Sequence, residues 1–286
     1  MANLKDLRNR IKSVSSTMQI TSAMKMVSAS KLSKAQDVIT AMRPYSEKLT
    51  ELLKGLSGTL EGDSVSKFAE QREVKNILIV SISSNRGLAG AFNTNIVKGV
   101  RQLVTSIDNK KNVEVLTIGK KAHDVLRKSL KVKENNNAIY DNLDYEHVAE
   151  IAENLMQGFL DGKYDEIVIM YNQFINAATQ LVITEQFLPI KQFESGENDN
   201  LDYIFEPAKE EIVRDLIPKS LKMQLFKAMI DSLASEHGAR MTAMHKATDN
   251  ATDLRDSLKL SYNKARQAAI TNEILEIVGG AEALKN

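Results

Sequence analysis

The sequence predicts an α/β chain in which the two ends pair as a long antiparallel coiled coil and the middle folds as a separate α/β domain of Rossmann-like layering. Three observations carry this reading. No Gly or Pro precedes Pro44, and only Gly238 interrupts the run from Lys219 to Val278, so both ends read as long helices. Apolar residues in those ends recur at spacings of three and four, the pattern of a coiled-coil seam. Between them, β-branched runs alternate with helical segments, the order of a parallel sheet with crossover helices. The expected spans are an N-terminal helix over 1–57, a linker over 58–74, the α/β domain over 75–207 and a C-terminal helix over 208–286.

The opening helix carries its stripe at Leu4, Leu7, Ile11, Val14 and Met18. Continuing the count lands on Thr21, Lys25 and Ser28, while Ile20, Met24, Met26 and Val27 lie off it; Leu32, Ala35, Ile39 and Met42 then restore the phase. The seam is therefore expected to falter near Met24 and open a second apolar surface. A stutter in the coil and a separate binding surface both fit that pattern. The polar, Gly-containing stretch "KGLSGTLEGDSVSKF" follows and reads as a linker.

The middle begins with the strand "NILIVSISS", the glycine turn "NRGLAGAFN" and a helix from Thr94 to Ile107. A strand "VEVLTIG", a helix from near Lys120, a helix from Tyr145 to Leu160 and the strand "EIVIMYN" continue the alternation, and "QLVITEQFLPI" adds a further strand. The closing helix repeats the heptad spacing at Met244, Ala247, Ala251, Leu254, Leu258, Ser261, Ala265 and Ala268, a seam of mostly small residues. From Lys219 to Leu284 such a helix rises to a rod on the order of 100 Å, so much of it needs partners beyond the domain. Folding it back against the opening helix covers both stripes.

Composition narrows the function classes. The 286 residues hold 43% hydrophobic side chains, enough for a sizeable core, and 38 basic residues against 37 acidic ones leave +1. No global field draws the chain to nucleic acid or an anionic surface. Cysteine is absent, which removes thiol chemistry and suits a reducing compartment. The start "MANLKDLRNRIKSV" lacks the apolar core of a signal peptide, and no stretch approaches the roughly 18 apolar residues of a membrane span.

Candidate chemistry is sparse. The turn "GLAGAF" offers Gly87 and Gly90 without a third glycine, beside Arg86, and the chain has no Walker pattern; a tight strand-to-helix turn outweighs a phosphate cradle. Asp165 and Glu166 precede a strand, where a solvated turn outweighs acid-base catalysis. His123, His147, His237 and His245 lack chelating spacing and read as surface or seam residues. Charge gathers only locally: Met1–Lys34 carries seven basic residues against Asp6, a formal +6 with no interleaved aromatics, which suits an acidic protein partner.

Three segments bear a family likeness. "IKSVSSTMQITSAMKMVSASKLSKAQ", "SSNRGLAGAFN" and "YNKARQAAITNEILEIVGGA" resemble the opening helix, central turn and closing signature of the gamma subunits of rotary F-type ATP synthases, and the resemblance spans essentially the whole chain. Within the signature, Ile270, Thr271, Glu273, Glu276, Gly280 and Ala281 satisfy the family pattern. The resemblance implies a central rotor shaft that couples proton- or sodium-driven rotation to ATP synthesis or hydrolysis in surrounding alpha and beta subunits, three of each. It implies a non-catalytic subunit with no cofactor or metal of its own, an epsilon subunit and a membrane c-ring as further partners, and a peripheral place on the cytoplasmic side of a bacterial plasma membrane. Met24 and Lys25 would meet a catalytic subunit's lever, and Arg266, Gln267, Thr271 and Glu273 would lie on the part of the closing helix gripped by catalytic-subunit loops. Ala89 stands where some relatives carry cysteine, and no cysteine-containing insertion of the chloroplast kind is present, which favours a bacterial type. Read without the resemblance, the residues also fit a Rossmann-type nucleotide-binding enzyme oligomerising through its terminal helices, or a static coiled-coil scaffold.

Overall fold

The computed structural model describes residues 4–57, 67–108, 111–190 and 209–283. Most of the expected linker, and the part of the central domain beyond Ile190, lie outside the described residues. The helices are α1 (Leu4–Ser57), α2 (Phe92–Ser106), α3 (Lys120–Leu126), α4 (Tyr145–Leu160) and α5 (Lys209–Ala283), and the strands are β1 (Asn76–Ile82), β2 (Asn112–Ile118), β3 (Val132–Asn135), β4 (Glu166–Phe174) and β5 (Gln180–Leu188). By compactness the chain forms two units, Ala29–Arg240 and Met1–Ser28 with Met241–Asn286. Both terminal helices contribute to each, and both run through a proline, Pro44 in α1 and Pro218 in α5.

The larger unit is built on a five-stranded sheet in the order β3-β2-β1-β4-β5. β1, β2, β3 and β4 pair in parallel, and β1 takes the middle because its "ILIV" run is apolar on both faces. Leu78, Val80 and Ile82 face α4 and the Ile217–Met229 stretch of α5; Ile77 and Ile79 face α2 and α3. Asp144 caps α4, accepting from the amide of His147 at 3.0 Å. β5, to which the sequence reading gave no direction, runs antiparallel to β4. Only residues 175–179 join the two strands, too few for a crossover. The sequence reading also omitted β3, a four-residue edge strand whose "VKEN" carries little apolar signal.

In the smaller unit α1 and α5 pair antiparallel. Arg8 Nη2 donates to Tyr262 Oη at 3.0 Å, Thr252 Oγ1 and Arg255 Nη1 reach Met18 Sδ, and Thr21 Oγ1 lies 2.8 Å from Thr248 Oγ1. Two seam expectations need correction. The α1 seam does not falter: Thr21 and Ser28 are buried on it, each hydroxyl back-bonding to a carbonyl of the preceding turn. Apolarity leaves the seam there while geometry does not. On α5 the seam runs through Met244, Thr248, Ala251, Arg255, Leu258, Tyr262 and Ala265, flanked by Thr252; Leu254, Ser261 and Ala268 are exposed. The seam is thus polar at alternate positions and not uniformly small.

Candidate functional site

The residues singled out in the sequence occupy two stations of the smaller unit. Met24 and Lys25 are half-buried on α1, and Met24 O accepts from Ser28 Oγ at 2.7 Å. Around them Ile20, Met26 and Val27 are exposed. Ile20, Met24 and Val27 follow one another at spacings of four and three, so they form one stripe beside the seam. This is an apolar face without a cover among the described residues.

The second station is the end of α5. The pairing of Arg8 with Tyr262 brings the start of α1 level with the mid-260s of α5, and every described side chain from Arg266 to Ala281 is exposed. Arg266, Gln267, Thr271 and Glu273 all belong to this uncovered stretch. They do not share one face. Arg266 and Glu273, seven apart, stand on one side; Gln267 and Thr271, four apart, stand on another, and Thr271 Oγ1 donates to Gln267 O at 2.9 Å. Met24 lies opposite α5 near His245, so the two stations are separated by about 20 residues of helix, roughly 30 Å.

Sequence reasoning assigned partner contacts to polar residues of this stretch and to none of its apolar ones. Ile270, Ile274, Leu275, Ile277 and Val278 are all exposed and gather on one side of the helix, with Asn272 and Glu276 opposite. The signal was available in the run "ILEIV". Large exposed apolar residues in contiguous stripes mark interaction surfaces.

The remaining candidates resolve into structural roles in the larger unit. Asp165 Oδ2 accepts from the amides of Lys75 and Asn76 at 2.9 and 2.8 Å, fastening the start of β1. The crevice at the carboxyl ends of β1 and β4 is where an open α/β sheet binds a ligand. Here the chain's own Arg240 and Glu236 approach it, paired at 2.6 Å and both buried, with Arg240 Nε donating to Gly87 O at 3.3 Å. Burial pushes the Glu236 carboxyl up, against the pull of Arg240. His237 is neither a surface nor a seam residue: it is buried, and burial with the neighbouring charges of Arg240 and Lys31 pushes it down to about 4. Burial likewise pushes Asp231 up to about 6, with Lys227 and Arg43 opposing. Among the described residues no group of three or more His, Cys, Asp or Glu side chains is placed to hold a metal ion.

Comparison with known proteins places this geometry. The ATP synthase family model matches residues 3–284. The ATP synthase gamma chain of Christiangramia forsetii is 72% identical over 284 residues, covering 99% of both chains. Among solved structures, a chain of the central stalk and c-ring of the Tetrahymena thermophila mitochondrial ATP synthase aligns with a TM-score of 0.60 at 27% identity, covering 80% of this chain and 99% of its own. A chain of the Euglena gracilis mitochondrial ATP synthase, in an assembly of OSCP, F1 and c-ring, shares the fold with a TM-score of 0.71 at 22% identity, over 98% and 94% of the two chains. The chain belongs to the ATP synthase gamma chain family.

Proposed function

We propose that this chain is the central shaft of an F-type ATP synthase, turning inside a ring of three alpha and three beta subunits and carrying no catalytic residue itself. The observation that carries the reading is the end of α5, uncovered from Arg266 to Ala281 with an apolar face and a polar face on one helix. Such a surface is costly in water and fits a sleeve of partner protein. A shaft shifts its partners' equilibria only by contacting their states differently. The two stations supply that asymmetry: Ile20, Met24 and Val27 with Lys25 for a catalytic subunit's lever, and Arg266, Gln267, Thr271 and Glu273 for the loops that grip the terminal helix. Nucleotide chemistry belongs to the ring. The central domain is the foot, beside an epsilon subunit and on the c-ring, which leaves the chain peripheral on the cytoplasmic face of a bacterial plasma membrane. No described helix is long and apolar enough to cross a membrane. A nucleotide-binding enzyme is the weaker reading, because Arg240 and Glu236 already stand at the crevice such an enzyme would use.

Co-expression with alpha and beta subunits tests the proposal: a complex with one copy of this chain to three of each is expected, and recovery of the chain without them would overturn it. Within that complex Arg266→Ala tests the grip. A desolvated interfacial charge is worth about 2 to 5 kcal/mol and a solvent-screened one under about 1 kcal/mol. Complex yield or ATP turnover should change while the helicity of the chain is retained. Parental values for both would remove Arg266 from the interface.

A further inference from the structure

The loop that follows β1 is tied down more tightly than a turn requires. Ser84 Oγ donates to Arg86 O at 2.6 Å, and Asn93 Oδ1 accepts from the Ser84 amide at 3.0 Å. From α5, Arg240 Nη2 donates to Arg86 O and Gly87 O, and its Nε donates again to Gly87 O, all at 3.3 Å. Glu236 Oε1, 2.6 Å from Nη2, holds the guanidinium in place. Further along the loop Ala89 and Phe92 are buried with Ala239 of α5. Between these anchors Leu88 has φ 61, a left-handed conformation, and the residue is 64% exposed.

A leucine gains nothing from that backbone, since its Cβ crowds the following carbonyl, and solvent offers the side chain no compensation. Strain of this kind persists only where the surroundings over-determine it, and it collects where shape is used. A planar guanidinium can bond two neighbouring carbonyls and a carboxylate at once; an ammonium is a point charge without that fork. We propose that Arg240, oriented by Glu236, is a positioning residue that clamps the carbonyls of Arg86 and Gly87 and so holds Leu88 outward as a rigid contact on the rotor. A push on Leu88 by a surrounding subunit then passes into α5 and is not absorbed by the loop. The clamp stands on the geometry alone; its consequence for rotation rests on the shaft reading.

Arg240→Lys tests the clamp because it keeps the charge beside Glu236 and removes the fork. In the full chain the backbone order parameters of Gly87–Gly90 should fall from the rigid value near about 0.85 to below about 0.6, with those of β1 and β4 unchanged. Adding Leu88→Asn, a residue that tolerates the left-handed region, should restore much of the order, which a general loss of packing would not permit. In the assembled complex, Arg240→Lys should lower proton pumping per ATP hydrolysed. A loop as rigid as the parent's in Arg240→Lys, or one that Leu88→Asn fails to restore, overturns the clamp whether or not the chain is a shaft. A loosened loop with undiminished pumping overturns its role in coupling. Failure of the parent chain to assemble with alpha and beta would instead count against the shaft, and the order parameters of the free chain would still decide the clamp.

Discussion

Helix α5 lives in two environments. Between Leu221 and Ala234 it buries Leu221, Leu225, Ala228, Met229, Ile230 and Ala234 in the larger unit, most of them completely. Between Arg266 and Ala281 it buries nothing. Backbone hydrogen bonds and helix-forming residues are present in both stretches; only the first has apolar partners in its own chain. Helix stability in a folded protein comes mainly from packing one face, so the first stretch is stabilised by the fold of this chain and the second finds no such support among the described residues. The glycines follow the same division. At Gly119 a Cβ would stand 2.1 Å from Ser83 O with φ at +106°, whereas at Gly279 and Gly280 nothing lies within 4 Å.

That contrast is easiest to break with substitutions of one type in both regions. Gly119→Ala should cost on the order of 3 to 5 kcal/mol, because backbone conformation and sterics both oppose it; a urea midpoint close to the parent's would show that β1 and β2 give way there. Leu225→Ala should cost about 2 to 5 kcal/mol through the cavity it leaves. Its counterpart Ile274→Ala should stay within about 0.5 kcal/mol in the free chain and weaken complex formation instead. Equal losses of stability at the two sites would show that the end of α5 is covered by this chain after all.

Acid titration sharpens the comparison, since its groups lie in the packed region. The Asp231 carboxyl is raised to about 6, so its contribution is fully present below its ordinary value near 3.8 and is lost as pH rises through about 6. Glu236 acts in the same sense. His237 is lowered to about 4, so its contribution is present above 6.5 and is lost as pH falls towards 4. The slopes oppose each other. Asp231→Asn should therefore make stability fall more steeply on acidification from 6.5 to 4, and His237→Gln should flatten it, read as urea midpoints across that window. The smallest effect belongs to Gly279→Ala: with open space around it, alanine should stabilise the end of α5 locally by about 1 kcal/mol or less, seen as a small gain in helical ellipticity with no change in the unfolding midpoint.

The sequence was most legible where the signal is local. The absence of Gly and Pro announced the terminal helices, the apolar periodicity placed α4 at Tyr145–Leu160 as observed, and the β-branched runs located β1, β2, β4 and β5. Legibility failed at contacts between distant residues. On α5 hydrophobicity favoured Leu254 for the seam, yet the neighbouring Arg255 meets Met18, and Tyr262 displaces Ser261. Polar residues holding a seam by hydrogen bonds leave no apolar trace to count. His237 was read as a surface or seam residue and Arg240 drew no attention, because what makes them unusual is the packed neighbourhood of Lys31, Arg86 and Gly87.

By itself, then, the sequence determined which segments are helix and which are strand, the layering of the central domain, and a terminal helix too long for its own fold to cover; each follows from periodicity and from residues that forbid or favour a local backbone. The tertiary structure alone decided the antiparallel β5, the register of the coil, the burial of Thr21 and Ser28, and the tie between Arg240 and the loop that bears Leu88. These depend on which surfaces meet, and Arg8 with Tyr262, or Arg240 with Gly87, meet across sequence separations that no local pattern encodes.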